Sequence, residues 1–387
     1  MRLILATSAI ALVTALAPPA LAQDQQALPG GAESVETQAG PVRVEVFADG
    51  LENPWAIDFL PDGRALVTEK PGRLRILSGD GSLSGPLQGT PEVFAQGQGG
   101  LMDVAVDPQF EQNNRVWLSF AEPGEGGAGT ALGHGTLAED RIEDFQVVFR
   151  QEKVEGPNHF GNRIAFSPDG HVFLALGERF KFEPAQDRSN TLGAVVRLNP
   201  DGTIPQDNPF VDDPQAADAI WSYGHRNIEA AAIHPETGAL WVVEMGPLGG
   251  DELNQPRAGE NYGWPTVSWG RHYDGRDIPD PTTRPEFADA AMHWSPVISP
   301  SGMVFYDGDL FPEWQGSALV GALSGTAVVR IAFDGETPRE AERIPLGARI
   351  RDVEQGPDGA VYVVKDAADG AVWRISPMET GEQATGG

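Results

Sequence analysis

The chain contains no cysteine. Disulfides, thiolate metal sites and cysteine nucleophiles are therefore excluded, and an exported fold must rest on core burial alone. Basic residues are scarce: 27 Lys and Arg stand against 56 Asp and Glu, a formal charge of −29. Such a surface repels nucleic acid and anionic lipid and favours neutral or cationic partners. Long apolar runs are missing except at the start. There Arg2, the run from Leu3 to Leu16 and the small-x-small site Ala20-Leu21-Ala22 predict a signal peptide over 1–22, cleaved after Ala22, and hence a periplasmic protein. No later stretch is long enough to cross a bilayer, so the mature chain is expected without membrane insertion. His-x-x-x-His and His-Glu-x-x-His spacings are also missing, which leaves a zinc hydrolase without support.

What the sequence does have is glycine and proline, 47 and 32 residues, punctuating short β-type runs. Aligned, these runs expose a repeat of strand, Pro-Asp-Gly turn, strand. Trp55–Leu60 leads into Pro61-Asp62-Gly63, and Arg163–Ser167 into Pro168-Asp169-Gly170. Asp352–Gly356 leads into Pro357-Asp358-Gly359, with looser copies at Met102–Pro108, Ala231–Gly238 and Met303–Gly308. Proline presets φ in the turn and glycine tolerates positive φ. Six copies about 45–70 residues apart predict an all-β, six-bladed β-propeller of four-stranded antiparallel blades, and closure into a ring removes exposed sheet edges. The propeller is expected over 41–377, after a disordered segment at 23–40 and before a flexible tail at 378–387.

Four segments could carry chemistry. His159, in Asn158-His159-Phe160-Gly161-Asn162-Arg163, lies on a polar loop entering a blade strand, where it is positioned to face the central channel. Arg226-Asn227, after Trp221-Ser222-Tyr223-Gly224-His225, could hold an anion. Gly246-Pro247, with Asp251 and Glu252, offers the oxygens that calcium prefers. Arg349 and Arg351 alternate, so both point to one strand face, and as unpaired arginines they suggest a polycarboxylate ligand.

In this order, from about Asn53 to Ser376, the segments resemble the soluble aldose sugar dehydrogenases of the glucose/sorbosone dehydrogenase family. The most specific pieces are His159-Phe160-Gly161-x-Arg163, Ile220-Trp221-Ser222-Tyr223-Gly224-x-Arg226-Asn227, Gly246-Pro247-x-Gly249-Gly250-Asp251-Glu252, Asn261-Tyr262-Gly263-Trp264-Pro265 and Arg349-Ile350-Arg351-Asp352-Val353. The resemblance implies a six-bladed propeller that uses pyrroloquinoline quinone (PQQ) and calcium to oxidise the C1 hydroxyl of an aldose sugar to the lactone. It implies His159 as general base, Glu178 as the carboxylate orienting it, and Arg226 beside the quinone oxygen. Asn227, Gln98, Arg349 and Arg351 would contact the cofactor. The carbonyls of Gly246 and Pro247 would hold the catalytic calcium, and Glu252 with the Tyr262 carbonyl a structural one. Electrons would pass to a periplasmic acceptor, a cytochrome or a quinone.

The chain departs from the family pattern in three places. Ser324 follows Gly321-Ala322-Leu323 where a lysine is usual, Asn162 stands for a glycine, and Ala194 for a commonly basic residue. Two other readings follow from the residues: a calcium-dependent propeller hydrolase of the lactonase kind, with carboxylates converging on the channel, and a non-catalytic binding propeller.

Overall fold

The computed structural model describes residues 33–378. The expected leader, residues 23–32 and residues 379–387 of the tail lie outside the described residues. Within them the sheets form the expected six-bladed propeller. Four blades have four antiparallel strands, the first has three, and the last has five because the N-terminal chain joins it.

Each blade starts at the channel. The inner strands are Pro54–Phe59, Leu101–Val106, Gly161–Phe166, Ile228–Ile233, Pro300–Phe305 and Ile350–Gln355. The Pro-Asp-Gly turns link inner to second strands, and Gly63 and Gly359 adopt φ of 88° and 76°, the left-handed conformation their turns require. All these turns lie at one mouth of the channel. The opposite mouth is built from the starts of inner strands and the ends of second strands.

Ring closure corrects one expectation. Glu33–Thr37, placed in the segment expected to be disordered, is a strand paired with Gly40–Leu51, which in turn pairs with the last strand, Gly370–Pro377. Tertiary contacts outweigh the polar composition here: the Gln38 backbone amide donates to Glu342 (2.8 Å), and Arg330 donates to the Gln38 side-chain oxygen Oε1 (2.9 Å).

The core lies between blades, where Trp55, Trp117, Trp241 and Trp314 are fully buried. At the axis, aspartates of inner strands pin the neighbouring blade: Asp58 accepts from Val106 N, Asp103 from Ile164 N and Asp352 from Ile57 N. Arg163 bonds Asp103 and Asp352 (both 3.0 Å) and donates to the carbonyls of Glu229 and Arg351, tying four blades across the channel. The only α-helix among the described residues is Phe110–Asn113, and no helix is long and apolar enough to cross a membrane.

Candidate active site

A register shift interrupts every inner strand near its start, between Pro54/Ile57, Leu101/Val104, Gly161/Ile164, Ile228/Ala230, Ser301/Met303 and Ile350/Asp352. Bulges re-aim side chains, and this ring of them surrounds the mouth that carries the expected site.

His159 sits just before its inner strand, at φ 52°. The backbone there is held by Gly177 N donating to Phe160 O and Arg179 N to His159 O, both 3.0 Å. Only glycine fits at 177, since a Cβ would lie 2.3 Å from the His159 carbonyl oxygen. The His159 amide donates to Gln98 Oε1 (2.6 Å), and Nδ1 lies 2.7 Å from Glu178 Oε1. The other Glu178 oxygen accepts from the amides of Lys181 and Phe182. Both carboxylate oxygens are thus acceptors, so Nδ1 carries the proton and Nε2 keeps a free lone pair. No described protein group engages Nε2. Burial lowers the imidazole pKa from its ordinary 6.5; Glu178 opposes the shift, and the charges of Arg226 and Arg179 add to it. The buried ring is therefore a neutral base at neutral pH.

Arg226 approaches from the next blade. Its guanidinium donates to the carbonyls of Met245 (2.7 Å) and Gly246 (2.9 Å) and to the Tyr273 hydroxyl (3.1 Å), while its buried Nε has no partner. Asn227 is fully buried and committed within the protein: it accepts from Gly161 N and donates to Glu229. It positions the His159 loop rather than offering a free contact.

Arg349 and Arg351 share one face, as the alternation predicts, but they are not unpaired. Both bond Asp366 (3.0 and 3.2 Å), and Arg351 also reaches Glu229 (3.4 Å). Asp366 follows the neighbouring strand of the same blade, a pairing no local pattern reveals. The buried Arg351 Nε still lacks a partner.

Three of the four expected metal ligands, Gly246, Glu252 and Tyr262, line one small cavity; Pro247 does not line it. Arg226, Glu244, Gly246, Glu252, Tyr262 and Trp264 line this cavity of about 10 Å³, roughly the room one water requires. Burial and the Glu244 charge push Glu252 well above the usual carboxylate range. Asp251, beside it, is structural: it accepts from the amides of Gly246, Ile298 and Ser299 and pins one blade to the next. Among the described residues, no group of three or more His, Asp or Glu is arranged to hold a metal.

The sequence reading missed an aromatic wall. Phe180 packs edge-on against His159 (centroids 4.9 Å apart) and lies near Phe182 and Tyr273. Phe180 and Tyr273 are 38% and 58% exposed, so both present ring surface beside the base. Phe180 and Phe182, directly after Glu178, were a legible signal; Tyr273, in an irregular loop, was not. The larger axial cavity, about 370 Å³, opens at the opposite mouth among Asp58, Asp103, Asp352 and Glu354, and His159 does not line it.

A propeller whose one mouth gathers a neutral histidine base, an arginine with a free donor and an exposed aromatic wall has the makings of an oxidoreductase or hydrolase site for a polyol. The chain belongs to the glucose/sorbosone dehydrogenase family, whose model matches residues 51–374. It is 45% identical to the aldose sugar dehydrogenase YliI of Escherichia coli (strain K12), over 87% of this chain and 93% of that protein. The crystal structure of the soluble aldose sugar dehydrogenase from Escherichia coli in the apo-form superposes with a TM-score of 0.84, covering 87% of this chain and all of that one, at 43% identity. Quinoprotein glucose dehydrogenase B of Acinetobacter calcoaceticus is similar at 25% identity, over 84% of this chain and 85% of that protein.

Proposed function

We propose that this protein is a periplasmic, PQQ-dependent aldose dehydrogenase that oxidises the C1 hydroxyl of a sugar to the lactone. The observation that carries the reading is the buried His159–Glu178 pair with Nε2 left free. His159 would take the hydroxyl proton at Nε2, and Glu178 would hold Nδ1–H and stabilise the imidazolium that results. Phe180 and Tyr273 would stack against the apolar face of the pyranose, fixing C1 near the base.

The residues present fit the cofactor. Three buried guanidinium donors, Nε of Arg179, of Arg226 and of Arg351, lack partners at this mouth, and an anionic ligand there would supply missing acceptors. When bound, PQQ supplies the hydride acceptor. Arg226 would set positive charge beside the quinone oxygen; Gln98, Arg349 and Arg351 would hold the remainder. Calcium is proposed on narrower grounds. The Gly246 carbonyl already accepts from Arg226, so an ion at Gly246 and Pro247 would share that oxygen with the guanidinium. For the second ion, Glu244 is already taken by His225, the Arg226 amide and Asn254, so a structural cation beside Tyr262 would draw on Glu252, whose carboxylate accepts from Asn254 (3.3 Å). Export and an electron acceptor such as a basic cytochrome agree with the leader and the acidic surface.

A hydrolase is less well supported. Carboxylates do converge on the channel, at the far mouth, but Asp103 and Asp352 are there bound by the Arg163 guanidinium, which takes the place a metal would need. The test is to add PQQ and calcium to the apo-protein and follow dye reduction with several aldoses. Bound PQQ without sugar-dependent reduction would refute the dehydrogenase; no PQQ uptake would favour the hydrolase or the binding module.

A further inference from the structure

Among the described residues, five buried or half-buried basic side chains have no carboxylate partner: Lys70, Arg179, Lys181, Arg226 and Lys365. Every other buried or half-buried lysine or arginine has a carboxylate within 4.0 Å. All five belong to the His159 mouth: they end second strands, follow them, or precede an inner strand. In a chain of charge −29, cations left without carboxylates at one mouth mark a place for an anion.

Lys70 stands out among them. Arg179 gives its terminal nitrogens to the carbonyls of Ala128, Val154 and Gly156 and keeps only its buried Nε unpartnered, and Lys365 reaches the Asp369 carbonyl. Lys70 Nζ donates only to the Gly97 carbonyl (2.7 Å), in the loop whose Gln98 holds the His159 amide. Its backbone is fixed by Leu101 N donating to Lys70 O (3.1 Å), and Gly100 packs so closely that a Cβ there would lie 2.4 Å from that oxygen. Because Gly97 adjoins Gln98, which bonds the His159 amide, the Nζ–Gly97 hydrogen bond holds the ammonium at the His159 mouth, where the charges of Arg351, Asp366 and Glu229 act on it. Burial, then the Arg351 charge, push it below the usual lysine range. Asp366 already offsets part of the charge of Arg349 and Arg351. Ser324 adds none and bonds Ser299 (2.8 Å) within its own blade.

We propose that Lys70 is a cofactor-binding residue, supplying beside Arg349 and Arg351 the third cation for the carboxylates of PQQ that Ser324 does not supply. The inference rests on the PQQ reading and sharpens it. An ammonium with two unused donors, on which the Arg351 charge acts, gains a carboxylate partner, and the repulsion between the two cations is relieved when that partner arrives.

The test is equilibrium titration of the full-length apo-protein with PQQ and, separately, with its trimethyl ester, following cofactor absorbance, for the wild type, K70M and K70R. K70M should weaken PQQ binding by about tenfold to a hundredfold, the range of a hydrogen bond to a charged group. The same change should move ester binding by less than about threefold, and K70R should restore most of the loss. Wild-type affinity for PQQ in K70M overturns the proposal. So does an equal loss for acid and ester, which marks a merely structural lysine; this comparison holds even where K70M is less stable, because both ligands meet the same folded fraction. A wild type that takes up no PQQ overturns the underlying reading as well, and so separates the two failures.

Discussion

Histidine and glutamate pair twice in this propeller, in adjacent blades and at the same separation of 19 residues: His159 Nδ1 to Glu178 (2.7 Å) and His225 Nδ1 to Glu244 (2.9 Å). In both, the glutamate ends the second-strand region of a blade and the histidine precedes its inner strand. The second nitrogen separates them. His225 Nε2 is bound by the Ser222 hydroxyl (2.9 Å), its ring stacks on Tyr262, and it is fully buried. His159 Nε2 has no described partner, and its ring is flanked by the half-exposed Phe180. One pair is closed and holds two loops together; the other is open on one side and can take a proton. A histidine–carboxylate pair is therefore a base only where the far nitrogen is left to a ligand.

The comparison breaks most sharply at the two histidines. H159A should lower sugar-dependent turnover by about a hundredfold to ten-thousandfold, with PQQ binding within a few-fold of wild type; steady-state dye reduction and cofactor titration measure the two. Retained turnover would show that the open pair is not the base. H225A should act through stability instead. It strands Glu244 and Ser222 inside the protein, at a cost of about 3 kcal/mol, visible as a lower midpoint in urea with turnover per folded molecule much less affected than in H159A.

A subtler break is E178Q, expected to cut kcat by about tenfold or more because the imidazolium loses its counter-charge. The sign of its pH effect follows from the His159 environment. The active form is the neutral imidazole, and burial already holds its pKa below 6.5, so the wild-type rate should be flat through neutrality and fall only on the acid side. Glu178 raises that pKa; removing its charge should move the acid limb to still lower pH. An acid limb that moves upward, or stays in place, would argue against the pairing. Smallest of all is S222A, which opens the closed pair at Nε2. It should cost about 1 kcal/mol of stability and leave turnover unchanged, showing that an open nitrogen away from the aromatic wall gains no activity.

Much of this was legible in advance. The Pro-Asp-Gly repeat marked the inner strand of each blade, and the order of His159, Arg226, Gly246 and Arg349 pointed to one mouth, because each lies at a strand end of the same polarity. Three features were not. The Asp366 partner of Arg349 and Arg351 comes from a neighbouring strand and left no local trace. Asn227, expected to contact the cofactor, is committed to Gly161 and Glu229 across a blade boundary. Lys70, in an ordinary turn, gains meaning only from the blades opposite it.

By itself the sequence determined the chemistry available: no thiols, few cations, histidines on loops entering strands, and turns that repeat. These follow from residue type and local backbone preference. Only the tertiary structure decided which histidine keeps a free nitrogen, which arginines are already paired, and that the first strands close the last blade. Those outcomes depend on what a neighbouring blade brings within hydrogen-bonding distance, and bulges at the start of every inner strand set that distance.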